Sequence, residues 1–139
     1  MARQTKTAPE EHLRRETVLP ADELLRPCPV AAVALMALND HVLKGADLLP
    51  GWLTGKLSDV AGLFFFPLLL SALVRSLVWA SGGGRRPLSR PLLLATIAAT
   101  ALAFTALQLA PCVGQMLPGV TQDPSDLLAL PVLGLTWLV

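Results

Sequence analysis

Leu57-Ser58-Asp59-Val60-Ala61-Gly62-Leu63-Phe64-Phe65-Phe66-Pro67-Leu68-Leu69-Leu70-Ser71-Ala72-Leu73-Val74-Arg75-Ser76-Leu77-Val78-Trp79-Ala80 contains only two ionisable side chains, Asp59 near its start and Arg75 near its end. Wound as an α-helix at 1.5 Å per residue it rises about 36 Å, more than the ~30 Å of bilayer hydrocarbon. Residues 91–110 follow with no charge at all. Two shorter stretches flank this pair. Residues 27–43 open with a clean apolar run from Val30 to Leu38 and then meet Asn39, Asp40 and His41. Residues 127–139 give about 20 Å of α-helix, or about 26 Å if the helix begins at Asp123. The expected fold is all-α: a four-helix transmembrane bundle with helices near 27–43, 57–80, 91–110 and 124–139, the last one short.

Composition agrees. The 139 residues are 53% hydrophobic and 15% charged, with mean hydropathy +0.58 and formal net charge +1. A small soluble globule cannot cover its surface with so few ionisable groups, so the lipid bilayer is the expected partner. Nucleic acid is not, because its binding needs a clustered excess of Lys and Arg.

Orientation follows from the basic residues. Residues 1–26 carry five (Arg3, Lys6, Arg14, Arg15, Arg26) against five acidic ones, and read as a polar cytoplasmic tail ahead of a single membrane domain, 27–139. Arg75, Arg85, Arg86 and Arg90 surround the connection between helices two and three, Lys44 and Lys56 lie between helices one and two, and residues 111–126 have none. The positive-inside rule places the tail and the Gly82-Gly83-Gly84-Arg85-Arg86 loop in the cytoplasm by nine to two, so both termini are expected there. A signal peptide fits less well: about 29 residues precede the first apolar run, and no small-residue cleavage site follows it. Cys28 and Cys112 fall at opposite membrane faces and are expected not to pair.

The interruptions of the apolar pattern collect on the outer side. Asn39, Asp40, His41 and Lys44 close helix one; Lys56, Ser58 and Asp59 open helix two; Asp123 and Asp126 open helix four; and Gln108 lies near the outer end of helix three. Asp40 and Lys44 are four apart, and Lys56–Asp59 and Asp123–Asp126 three apart, so each pair shares a helix face. Binding is assigned to Asp40, His41, Lys56, Asp59, Asp123 and Asp126, with Asn39, Lys44, Ser58 and Gln108 in support.

Two other readings stand beside this one. Ser58-Asp59 and Asp123-Pro124-Ser125-Asp126 have the form of helix N-caps with first-turn acids. The same residues also read as loop positions outside the membrane. Capping accounts less well for Asn39-Asp40-His41, because acids near a helix C-terminus oppose the macrodipole.

Among the chemistries open to such a cluster, recognition of a head group, peptide or ion in the cell envelope asks least of geometry. A metal would need more than the lone His41 beside the aspartates, so no metal or cofactor is expected. No catalytic residue is assigned, and an intramembrane hydrolase using Ser58 with Lys56 or His41 as base is the third reading. Gly51-Trp52-Leu53-Thr54-Gly55-Lys56-Leu57 is not a P-loop, having three residues between its glycines and Leu57 where a hydroxyl is required. It reads as the turn into helix two.

In helix three, Ala95, Ala99 and Ala103 form a small-residue stripe, expected to pack against helix two or four or to receive a membrane-protein partner. Such packing alone would make the chain a structural or assembly subunit, the second reading. Pro67 and Pro131 are expected to bend helices two and four.

The order of Ser58-Asp59 before an aromatic helix, Ala106-Leu107-Gln108, and Asp126-Leu127-Leu128-Ala129 resembles the VanZ-like family of small four-helix bacterial membrane proteins. The resemblance runs from about Leu57 to Val139 and equates Asp59, Gln108 and Asp126 with family positions. Thr105 stands where the family has Glu, and Leu130 where it has Asn. The family's histidine after the helix-two Asp has no counterpart, and no Arg precedes Asp126. The Pro50 to Pro67 stretch also resembles uncharacterised bacterial membrane proteins. The VanZ-like resemblance implies an inner-membrane protein with an envelope role, as in teicoplanin resistance, and names no reaction.

Overall fold

A computed structural model of the chain describes residues 21–46, 49–84, 86–110 and 122–139. These residues are helical or in loops, with no strand among them. A short 3₁₀ turn, Asp22–Leu25, leads into α1, Pro27–Leu38, which runs on through one π turn, Asn39–Leu43. Three further helices follow: α2, Gly51–Ala80; α3, Arg90–Leu109; and α4, Pro124–Leu138. The four expected helices are present, and α2 and α3 are each long and apolar enough to cross a membrane. Expectations for the tail upstream of Ala21 and for Cys112 lie outside the described residues.

α2 is the centre of the assembly. It packs against α1, α3 and α4; α3 and α4 pack on each other; α1 touches neither of them. Leu63 of α2 meets Ala129 and Leu133 of α4, and Ile97, Ala101 and Phe104 of α3 close around them. Successive helices run antiparallel, as side-chain bonds at both ends show. Asn39 at the end of α1 reaches Thr54 and Ser58 near the start of α2. Glu23, just before α1, reaches Arg75 near the end of α2. Gln108 near the end of α3 bonds Asp126 at the start of α4, whereas Arg90 at the start of α3 sits over the Trp137 ring, 5.7 Å from its centroid. The assembly therefore has a polar end, at the Asn39, Lys56, Gln108 and Asp126 side, and an arginine end.

Several expectations need correction. Helix two begins at Gly51 rather than Leu57, so the residues read as a turn are its first turns. Pro50 cannot donate to a preceding helical turn and sets its entry, and the Thr54 hydroxyl donates back to the Gly51 carbonyl at 3.0 Å. The Ala95/Ala99/Ala103 stripe is not a packing face within the chain, since all three residues are exposed. The buried face of α3 is instead Leu93, Thr96, Thr100 and Gln108. The threonines fit there because each hydroxyl bonds a carbonyl of its own helix, Leu93 and Thr96 respectively, and carries no unpaired donor into the interior.

The basic connection after α2 begins with a defined helix stop. Gly82, at φ +87°, sends its N–H to the Trp79 carbonyl, and the Gly83 N–H reaches the Val78 carbonyl at 2.9 Å, the paired bonds of a Schellman ending. A Cβ on Gly83 would stand 2.6 Å from Val78 Cγ1 and 2.9 Å from its carbonyl oxygen, so space requires glycine at 83 while the backbone angle favours it at 82. Helix two runs unbroken through Pro67, which is buried.

α4 is wound as a 3₁₀ helix through its whole length. At about 2.0 Å per residue its 15 residues rise about 30 Å, so the segment that falls short as an α-helix matches the hydrocarbon thickness. The burial pattern has the matching period of three: Ser125, Leu128, Pro131, Gly134 and Trp137 are all exposed on one side. Pro131 and Gly134, both poor α-helix residues, stand on that exposed side.

Candidate functional site

The residues singled out in the sequence meet at the polar end, in two groups flanking the start of α2. The first joins α1 to α2. Asn39 is fully buried, at 0% exposure, and its Nδ2 donates to the Thr54 carbonyl at 2.8 Å and to Ser58 Oγ at 3.0 Å. The π turn that follows it, closed by the Lys44 N–H on the Asn39 carbonyl, widens the helix by one residue where α1 must present this amide to α2. Asp40 stays exposed and collects Lys44 Nζ at 2.7 Å and Ser58 Oγ at 3.2 Å.

A second group joins α2, α3 and α4. Lys56 Nζ donates to Ser125 Oγ at 2.7 Å and to Asp126 Oδ1 at 3.0 Å. Gln108, buried, donates from Nε2 to Asp126 Oδ2 at 3.2 Å and accepts from the Asp123 N–H at 3.1 Å. Asp123 caps α4, its Oδ1 accepting the Ser125 N–H at 2.8 Å, as the capping reading expected for this helix. Gln122 closes the group by donating to the Leu107 and Ala110 carbonyls at the end of α3, satisfying groups that a helix terminus leaves open.

Asp59 lies between the two groups. It is half-buried, within electrostatic range of Lys44, Lys56, Asp123 and Asp126, and receives no hydrogen bond from the described residues. Its i−3 neighbour Lys56 pairs with Asp126 instead, correcting the intrahelical Lys56–Asp59 pair, and since α2 starts at Gly51 neither Ser58 nor Asp59 is a cap. His41 joins neither group: it is exposed and makes no hydrogen bond or ion pair among the described residues.

The hydrolase geometry is also not assembled around Ser58, whose hydroxyl bonds Asp40 and Asn39 and neither His41 nor Lys56. Lys56 does touch a serine, Ser125, but an ammonium held against a carboxylate is a donor and not a base. Among the described residues no three His, Cys, Asp or Glu side chains stand together as metal ligands.

Sequence reading missed Thr54, Ser125 and Gln122, which enter through a carbonyl, a hydroxyl and an amide. Only Ser125 carried a signal, by lying between Asp123 and Asp126.

The Ser125 N–H and Lys56 hold the Asp123 carboxyl below the usual carboxylate range. A lowered folded value means that this stabilisation is present above the ordinary carboxylate value of ~3.9 and is lost as pH falls through the folded value. Asp123→Asn should therefore reduce the loss of stability on acidification below about pH 4, measured as the difference between melting profiles of the two proteins.

Compared with protein-family models, curated proteins and solved structures, the chain matches none.

Proposed function

We propose that this chain is a multi-pass bacterial inner-membrane protein with four crossings and both termini in the cytoplasm, and that its outer-face polar cluster binds a head group, peptide or ion of the cell envelope. One observation carries the reading: an otherwise apolar helical assembly gathers Asp40, Lys44, Lys56, Asp59, Gln108, Asp123 and Asp126 at one end, with Arg75, Arg86 and Arg90 at the other. The separation supports the orientation, since arginines favour the cytoplasmic face. The outward apolar side chains support a lipid surrounding: Leu102 is 72% exposed and Leu128 81%, and Phe66, Leu73, Leu77 and Leu94 are exposed as well. The hydrogen bond between Gln108 and Asp126, with Asp59 at the same end, supports the VanZ-like correspondence of these three residues.

Native mass spectrometry of the protein purified from membranes tests the binding. A co-purifying envelope molecule retained by the wild type and lost from Asp59→Asn is the expected result, and identical retention by the variant overturns it. Orientation is checked separately. In a Cys112→Ser variant an impermeant maleimide should label Cys28, which is exposed at the arginine end, only in inverted vesicles, and labelling of Cys28 in intact cells would reverse the topology.

The second reading, a subunit working through helix packing, is favoured by the exposure of Ala95, Ala99 and Ala103 on α3. Crosslinking from that face to a larger membrane protein, with no effect of changing Asp59, would select it.

A further inference from the structure

The polar end has more acceptors than its own donors use. Among the described residues this end carries Asp40, Asp59, Asp123 and Asp126 against Lys44 and Lys56, while Arg75, Arg86 and Arg90 stand at the other. Both lysines are already paired, Lys44 with Asp40 at 2.7 Å and Lys56 with Asp126 at 3.0 Å. Asp59, half-buried between them, has neither a hydrogen-bond donor nor a cation of its own among the described residues.

Asn39 supplies an observation independent of charge. Its side-chain oxygen is shut away from solvent and meets no donor, although the nitrogen of the same amide touches Ser58 and, at 3.5 Å, Asp40. The orphaned oxygen thus belongs to the amide that joins α1 to α2 beside Ser58 and Asp40, and Asp59 is the residue after Ser58 on α2. Buried polar groups are as a rule hydrogen-bonded, so an amide oxygen without a donor marks a place for one.

The missing component is a donor that carries positive charge. A divalent metal suits the site poorly, because no three ligating side chains converge among the described residues. An ammonium group asks only for acceptors around its three N–H bonds. We infer that the polar end binds a primary ammonium group, with Asp59 as its counter-ion and the Asn39 side-chain oxygen as a buried acceptor. The inference rests on the binding function proposed above and specifies its ligand chemistry. That chemistry is shared by an ethanolamine lipid head group and by a free amine such as the N-terminus of a peptide.

The test titrates the full-length protein, in dodecyl maltoside, with short-chain phosphatidylethanolamine, its N-trimethylated counterpart phosphatidylcholine, and phosphatidylglycerol, read by native mass spectrometry. Phosphatidylethanolamine should bind about tenfold more tightly than the other two, the scale of a lost charge-assisted hydrogen bond. Asp59→Asn should bring it to the phosphatidylcholine level, and Asp59→Glu should keep the preference. Competition by free ethanolamine at equal concentration would support a soluble amine as the source, and its failure to compete would support the lipid. Equal affinity for the three lipids, or a preference that survives Asp59→Asn, overturns the inference. Tightest binding of phosphatidylglycerol overturns it too while leaving the binding function standing; binding of none of the probes, together with no co-purifying envelope molecule, would remove both.

Discussion

Glu23→Ala should destabilise the protein by about 3 to 5 kcal/mol, the scale for removing one partner of a buried ion pair. Glu23 and Arg75 are each 4% exposed, and the guanidinium meets both carboxylate oxygens of Glu23 through Nη1 while Nε donates to the Arg86 carbonyl at 2.8 Å. Truncating Glu23 removes the carboxylate that faces a desolvated guanidinium, and the loss of that pairing in a buried setting supplies the large cost. The control is double replacement: Glu23→Leu with Arg75→Leu should be far less damaging than Glu23→Ala alone, because apolar residues of similar volume dispense with the desolvation of both charges. Unfolding in mixed micelles by SDS titration, monitored by circular dichroism, measures both. A Glu23→Ala loss below about 1 kcal/mol, the scale of an exposed pair, would show that the contact is open to water.

The second large effect separates two aspartates that look alike in sequence. Asp126→Ala removes the partner of Lys56 and the acceptor of Gln108, and should cost about 1.5 to 3 kcal/mol, the range for hydrogen bonds to a charged group. Lys56→Met should cost less than Asp126→Ala, and the double variant less than their sum, because the singles break the same bond. Asp59→Asn, by contrast, should stay within about 0.5 kcal/mol of the parent, since no described residue donates to that carboxyl. Denaturation midpoints of the four variants decide the matter. Loss of accumulation by Asp59→Asn as well as Asp126→Ala would make both residues structural and return the cluster to a packing role.

These outcomes bear on how much of the site was legible in advance. Asp40 and Lys44 were recognisable because a pair four apart on one helix meets regardless of what surrounds it. Lys56 was recognisable as a member of the cluster but not its partner: Asp59, three residues away, and Asp126, 70 residues away, compete for it, and only the packing of α4 on α2 delivers the distant one. Asn39 was a secondary candidate in sequence, yet it is the most deeply placed of all. Its position depends on a π turn, and no single-residue preference announces one. Glu23 illustrates the same blindness, since a glutamate among five acids and five bases reads as solvated until Arg75 is placed against it.

The sequence by itself determined that the chain is helical and where the membrane-length helices lie, because unbroken apolar length against a fixed helical rise is a local quantity. It also determined that polar residues sit near one set of helix ends. Tertiary structure decided which of those residues touch, which face of α3 is buried, and that α4 winds tightly enough to gain about 30 Å from 15 residues. Those outcomes depend on distances between segments remote in the chain, and in an interior stripped of water each polar group settles with whichever partner the packing brings within reach.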